Sequence, residues 1–180
     1  MIVETRCLIR TPMLATVFVA TFAATSMADD LCDYDCFDVR TLSKFGPLQL
    51  EDLFRHGSAD ALPLGYAKGR PLLMLDYRNP RARAAISGLV WKGKHFLPDG
   101  RMINQWVGVR AVEAIGSIAP SSLDGQPCIR LDYPAKAAVF GNSFDELREI
   151  APGVLLGCFY ERCPTPRLKG YFVLTTACRR

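Results

Sequence analysis

After Gly88 the chain loses any helical period and becomes a series of short segments, each ended by turn residues. Residues 91–96 and 101–109 flank Pro98-Asp99-Gly100, a turn sequence, and read as a hairpin. Residues 111–118 continue as strand, and Ser121-Ser122-Leu123-Asp124-Gly125 is a loop. Within residues 128–133, Ile129, Leu131 and Tyr133 fall on one face and Arg130 and Asp132 on the other, the period of a half-buried strand. Residues 144–150 and 154–161 flank Ala151-Pro152-Gly153, a second hairpin signal, and residues 171–176 supply a closing strand. Short strands at regular spacing need their edges covered, and a sheet that closes on itself does this. The expectation is a mainly β protein built on a closed or nearly closed antiparallel barrel.

The segment before Gly88 predicts one or two short helices. Residues 47–55 place Leu50, Leu53 and Phe54 on one face, with Gly57 as a stop. Residues 58–70 read as loop, punctuated by Pro63, Gly65 and Gly69, and residues 71–77 as an apolar strand. Asn79 and Pro80 are residue types suited to open a second helix, with Ile86 and Leu89 on its apolar side.

Residues 1–28 have the organisation of a secretory signal. Arg6 and Arg10 precede an apolar run over 13–24, and Ser26-Met27-Ala28 offers small residues for cleavage before Asp29. The run is shorter than the roughly 20 residues that span a bilayer. The chain divides into this signal, an acidic cysteine-bearing strap over 29–46, and a barrel domain over 47–180. The strap's aspartates lack the glycine and terminal glutamate of a calcium loop. The expected location is the periplasm or the exterior. No membrane span is expected after cleavage.

Export sets the cysteine chemistry. Cys7 leaves with the signal, and Cys32, Cys36, Cys128, Cys158, Cys163 and Cys178 remain. An even number of cysteines in an oxidising compartment predicts up to three disulfides, each contributing about 2–4 kcal/mol. Sequence does not choose among the 15 pairings. No histidine accompanies the cysteine pairs and no Cys-x-x-Cys occurs, so neither a metal site nor redox catalysis is expected. With Arg6, Arg10 and Glu4 removed, 22 basic and 18 acidic residues become 20 and 17. That excess is too small and too dispersed for a nucleic-acid partner.

The order Trp91-Lys92-Gly93-Lys94, Leu123-Asp124-Gly125-Gln126-Pro127, Leu131-Asp132-Tyr133, Asp145-Glu146-Leu147-Arg148-Glu149 and Pro152-Gly153-Val154-Leu155-Leu156-Gly157 resembles a group of uncharacterised bacterial proteins. Their barrels are lipocalin-like or nitrobindin-like, and the resemblance runs from Leu48 to Thr176. It implies an antiparallel lipocalin-like (calycin-type) barrel and carries no assigned reaction. Nitrobindin-like proteins hold haem through a histidine late in the barrel. Here the histidines are His56 and His95, both early, and no cofactor is expected.

Several residues are candidates for chemistry. Phe144, Glu146, Arg148 and Ile150 share a strand face. Turned inward, Arg148 can grip a ligand carboxylate while Glu146 holds it; turned outward, the charges form a solvated face with Leu147 inside. Trp91 and Trp106 either line a cavity or plug the barrel floor. Lys94 either reaches solvent or meets an acid or Trp91 inside. Asp132, Tyr133, Tyr160 and Arg162 lie near strand ends. Three functions follow. The first is an exported binder of a small apolar or amphipathic ligand, in a cavity lined by Trp106, Ile129, Leu131, Tyr133, Leu156 and Tyr160. The second is a barrel enzyme of isomerase or cyclase type, moving protons with two of Asp132, Glu146 and Tyr160. The third is a structural or interaction protein with a filled barrel. The ligand-binding site residues expected from the first are Trp106, Asp132, Tyr133, Glu146, Arg148 and Tyr160.

Overall fold

A computed structural model describes residues 39–137, 140–162 and 164–176. Its elements in chain order are α1 (Val39–Leu42), α2 (Pro47–His56), β1 (Gly65–Met74), α3 (Pro80–Val90), β2 (Trp91–Phe96), β3 (Arg101–Trp106), β4 (Val109–Pro120), β5 (Pro127–Asp132), β6 (Ser143–Ala151), β7 (Val154–Glu161) and β8 (Arg167–Thr176). The eight strands form a closed antiparallel barrel in sequence order, with β1 pairing β8 to complete it. This is the mainly β, closed antiparallel architecture expected from the strand pattern, and it is consistent with the lipocalin-like barrel that the resemblance implies. No helix among the described residues is long and apolar enough to cross a membrane.

The turns form for local reasons. Gly100 takes φ 83° in the β2–β3 turn, and the Asp99 carboxylate accepts from the Arg101 N–H at 3.1 Å. Gly153 takes φ 73° between β6 and β7. These are left-handed conformations that L side chains rarely adopt.

Strand β1 begins at Gly65, earlier than residues 58–70 suggested. Gly69 is required for close packing: a Cβ there would lie 2.5 Å from the Trp91 ring. Pro71 sits beside a register shift in the β1–β8 pairing, between Pro71 and Leu73, the kind of irregularity at which strands accommodate proline. Helix α3 starts at Pro80 as expected, but Ile86 and Leu89 are exposed and Ala84 is its buried residue. Small residues bring this helix close to the barrel; a Cβ on Gly88 would touch Pro71.

Two cores result. Inside the barrel, Phe96, Met102, Ile129, Leu131, Leu147 and Leu174 fill one end. Outside it, Leu50 and Phe54 of α2 pack with Leu156, Cys158, Tyr160 and Val173, covering the outer face of β6 and β7. Leu42 of α1 joins this outer core.

The cysteine expectation changes for the two described thiols. Cys128 and Cys158 are free and fully buried in the outer core. They sit on β5 and β7, with β6 between them. Two strand spacings separate their backbones by roughly 9–10 Å, beyond disulfide reach. Cys32, Cys36, Cys163 and Cys178 lie outside the described residues, as does the signal segment.

Candidate functional site: a polar cluster at the floor of a half-hollow barrel

The end of the barrel opposite the aliphatic plug is hollow. A cavity of about 280 Å³ opens there, with Trp106, Phe159 and Phe172 among its walls. Arg83, Ser87 and Val90 of α3 contribute to its lining. Its size falls near the lower end of small-molecule pockets.

Lys94 reaches the cavity through an irregularity in β2. The β2–β3 register shifts between Trp91 and Gly93, which adds a residue to β2. Gly93 has φ 141°, and a Cβ there would lie 2.1 Å from the Ala67 carbonyl oxygen. The extra residue reverses the inward–outward parity, so Trp91 and Lys94 both face the interior. On β6, Phe144, Glu146 and Arg148 face outward, and alternation therefore turns Asp145 and Leu147 inward.

Lys94 and Asp145 form an ion pair, Nζ to Oδ2 at 2.7 Å, with side chains 2% and 3% exposed. The Lys94 ammonium also donates to the Tyr133 hydroxyl at 2.8 Å and to Asn104 Oδ1 at 3.0 Å. Tyr133 donates to Asp145 Oδ2 at 2.9 Å and accepts from Asn104 Nδ2 at 3.1 Å. Trp91 Nε1 donates to Asn104 Oδ1 at 3.0 Å. The ammonium lies 5.4–5.6 Å from the ring centres of Trp91, Tyr133 and Phe172, within cation–π range. Burial pushes the Lys94 pKa down, opposed by the charge and hydrogen bond of Asp145. Burial pushes Tyr133 well above its ordinary value, reinforced by the Asp145 charge.

Asn104 has a second task. Its Nδ2 donates to the Val112 carbonyl at 3.1 Å. Val112 has φ 66°, costly for a β-branched residue, at a shift in β3–β4 register. Above the cluster, Phe140 packs against Trp106, Tyr133 and Phe159 at centroid distances of 6.0, 5.3 and 6.2 Å.

Only part of the anticipated site assembles. Trp106 and Tyr133 line the cavity, whereas Ile129 and Leu131 belong to the aliphatic plug. Leu156 and Tyr160 lie in the outer core. Tyr160 stacks on Phe144 at 5.0 Å, and its buried hydroxyl has no hydrogen-bond partner among the described residues. Glu146 and Arg148 face outward, yet are 0% and 1% exposed because α2 and the β4–β5 loop cover them. They do not pair with each other. Glu146 accepts from the Ser121 hydroxyl at 2.6 Å and the Ser122 N–H at 2.8 Å. Arg148 makes a two-point contact with Asp124 at 2.7 and 2.8 Å.

Asp132 sits in a surface groove, bonded to Arg162 at 2.9 Å and Arg130 at 3.3 Å. Asp132, Glu146 and Tyr160 therefore share no hydrogen bond and are not on the cavity, so they do not form the proton-transfer set. Neither His56 nor His95 lines the cavity, so its walls offer no histidine to a haem iron. Neither Asn104 nor Asp145 stands out in the sequence as a site residue, and Lys94 reads as either solvated or inward-facing. Placing Leu147 inward carries Asp145 with it by parity, which was the available signal.

No protein-family model matches the chain, and no curated protein matches it. A crystal structure of a protein from Thermomonospora curvata is similar, with a TM-score of 0.53 and 15% identity over 84% of this chain and 97% of that chain. At that identity the likeness shows the fold alone.

Proposed function

We propose that this is an exported binding protein for a small, uncharged, amphipathic molecule with a hydroxyl or carbonyl group. The carrying observation is the cavity itself: largely apolar walls meet a hydrogen-bonded polar cluster at the floor. Lys94 and Asp145 cancel each other's charge, so a free carboxylate ligand would face Asp145 as well as Lys94. A neutral polar group can exchange hydrogen bonds with Tyr133, Lys94 and Asn104 while its apolar body contacts the aromatic walls. The basic start, apolar run and small-residue exit of residues 1–28 support export. Buried thiols are compatible with an oxidising compartment, because oxidation proceeds through an accessible thiolate and burial pushes the Cys128 thiol up to about 12.

Native mass spectrometry of the protein from its own host tests this reading. The expected result is a small-molecule adduct released on denaturation. Uptake of 1-aminoanthracene, with its emission shifted to the blue, is the companion measurement. A bare protein mass together with no uptake of the fluorophore removes the binding function.

A further inference from the structure

We propose that Lys94 is a nucleophile that captures an aldehyde or ketone ligand covalently, as an iminium, at the cavity floor. The inference rests on the binding reading and narrows its ligand class to carbonyl compounds. The observations are geometric. Lys94 is one of the residues lining the cavity, and its amine stands 2.7 Å from a carboxylate and 2.8 Å from a phenol. The surrounding walls are largely aromatic.

The ion pair can supply the free amine. Transfer of one proton from the Lys94 ammonium to Asp145 gives neutral amine and neutral acid, a form that a site removed from water favours. The depressed pKa of Lys94 acts in the same direction. The Nζ lone pair then adds to the carbonyl carbon, and the carbonyl oxygen takes the proton from Asp145. The nitrogen returns a proton to the Asp145 carboxylate, leaving a neutral carbinolamine. The hydroxyl departs as water with that proton, and the nitrogen lone pair forms the C=N⁺ bond. Lysine ammonium and carbonyl have become iminium and water, and Asp145 is again a carboxylate beside a cation. Tyr133, bonded to both Lys94 and Asp145, bridges them and can donate to the ligand oxygen.

The test uses the full chain with 2-naphthaldehyde and sodium cyanoborohydride, which reduces an iminium to a stable amine. Peptide mapping then compares Lys94 with Lys44, Lys68, Lys92, Lys136 and Lys169. Because a bound carbonyl is held at high effective concentration, limiting probe is expected to label Lys94 at least about tenfold more than any other lysine. Excess 2-naphthalenemethanol, which fits the same walls but forms no iminium, is expected to suppress that labelling. Tyr133→Phe is expected to slow labelling of Lys94 and to weaken uptake of the alcohol, since it removes a hydroxyl at the cavity floor. If the alcohol binds but Lys94 is labelled no more than the other lysines, the covalent inference falls and the binding function stands. If neither naphthalene compound is taken up and Lys94 is not labelled, both fall.

Discussion

Lys94 and Asp145 have exchanged hydration for each other and for Tyr133 and Asn104, and this exchange governs how the site responds to substitution. Two charges removed from water are tolerable only while both remain partnered. Lys94→Met leaves the Asp145 carboxylate without its cation and is expected to cost about 3–5 kcal/mol. Lys94→Met combined with Asp145→Leu removes both charges. It is expected to recover most of that loss, since an apolar pair can replace a buried ion pair at little net cost. Urea unfolding of both variants, read at constant m-value, checks the pair. A single-variant loss below about 1 kcal/mol would match a surface ion pair and contradict the desolvated one described above.

At the scale of elements, the site depends on one glycine that lets β2 change its parity. Gly93→Ala would drive a Cβ into the Ala67 carbonyl, in a φ region that alanine avoids. Backbone strain at such a position costs on the order of 1–3 kcal/mol. The expected result is a lower urea midpoint and also a loss of fluorophore uptake, because relieving the clash returns β2 towards regular alternation and displaces Lys94. A variant that loses stability but binds 1-aminoanthracene normally would separate the bulge from the site. The same bulge explains what could be read from the chain. The alternation of Ile129, Leu131 and Tyr133 is a local, strictly periodic signal, and the inward face of β5 follows from it. The direction of Lys94 stayed open because it depends on an inserted residue that period counting does not register. The hydrogen bond from Arg148 to the Phe54 carbonyl spans 94 positions. No local pattern reveals that the charged outer face of β6 is roofed by α2. Gly69 looked like loop punctuation because sequence records a small residue and not the indole beside it.

The molecule as a whole is a barrel with a second core attached to its outside, and Arg148 is the latch between them. Its guanidinium lies 4.7 Å from the Phe54 ring centre and donates to the carbonyls of Phe54, Gln126 and Pro127 at 2.9–3.1 Å. The Phe54 carbonyl lies in the last turn of α2, where the helix dipole favours a cation. The two-point contact with Asp124 completes the latch. This arrangement demands a planar fork, so Arg148→Lys is expected to behave as a loss, about 2–4 kcal/mol by comparison with other broken buried charge pairs. The cavity lies on the opposite side of β6, so uptake of 1-aminoanthracene by the folded fraction should be unchanged. The latch also sets an acid limit. Hydrogen bonding to Arg148 holds the Asp124 carboxyl below its ordinary value of 3.8. A carboxyl depressed in the folded state adds stability that is complete above the unfolded value and disappears as pH falls through the lower folded one. Asp124→Asn should therefore lower stability at neutral pH and flatten the decline between about pH 5 and the acid limit. An Asp124→Asn variant whose stability falls with acid as steeply as the parent would place that proton uptake on another carboxylate.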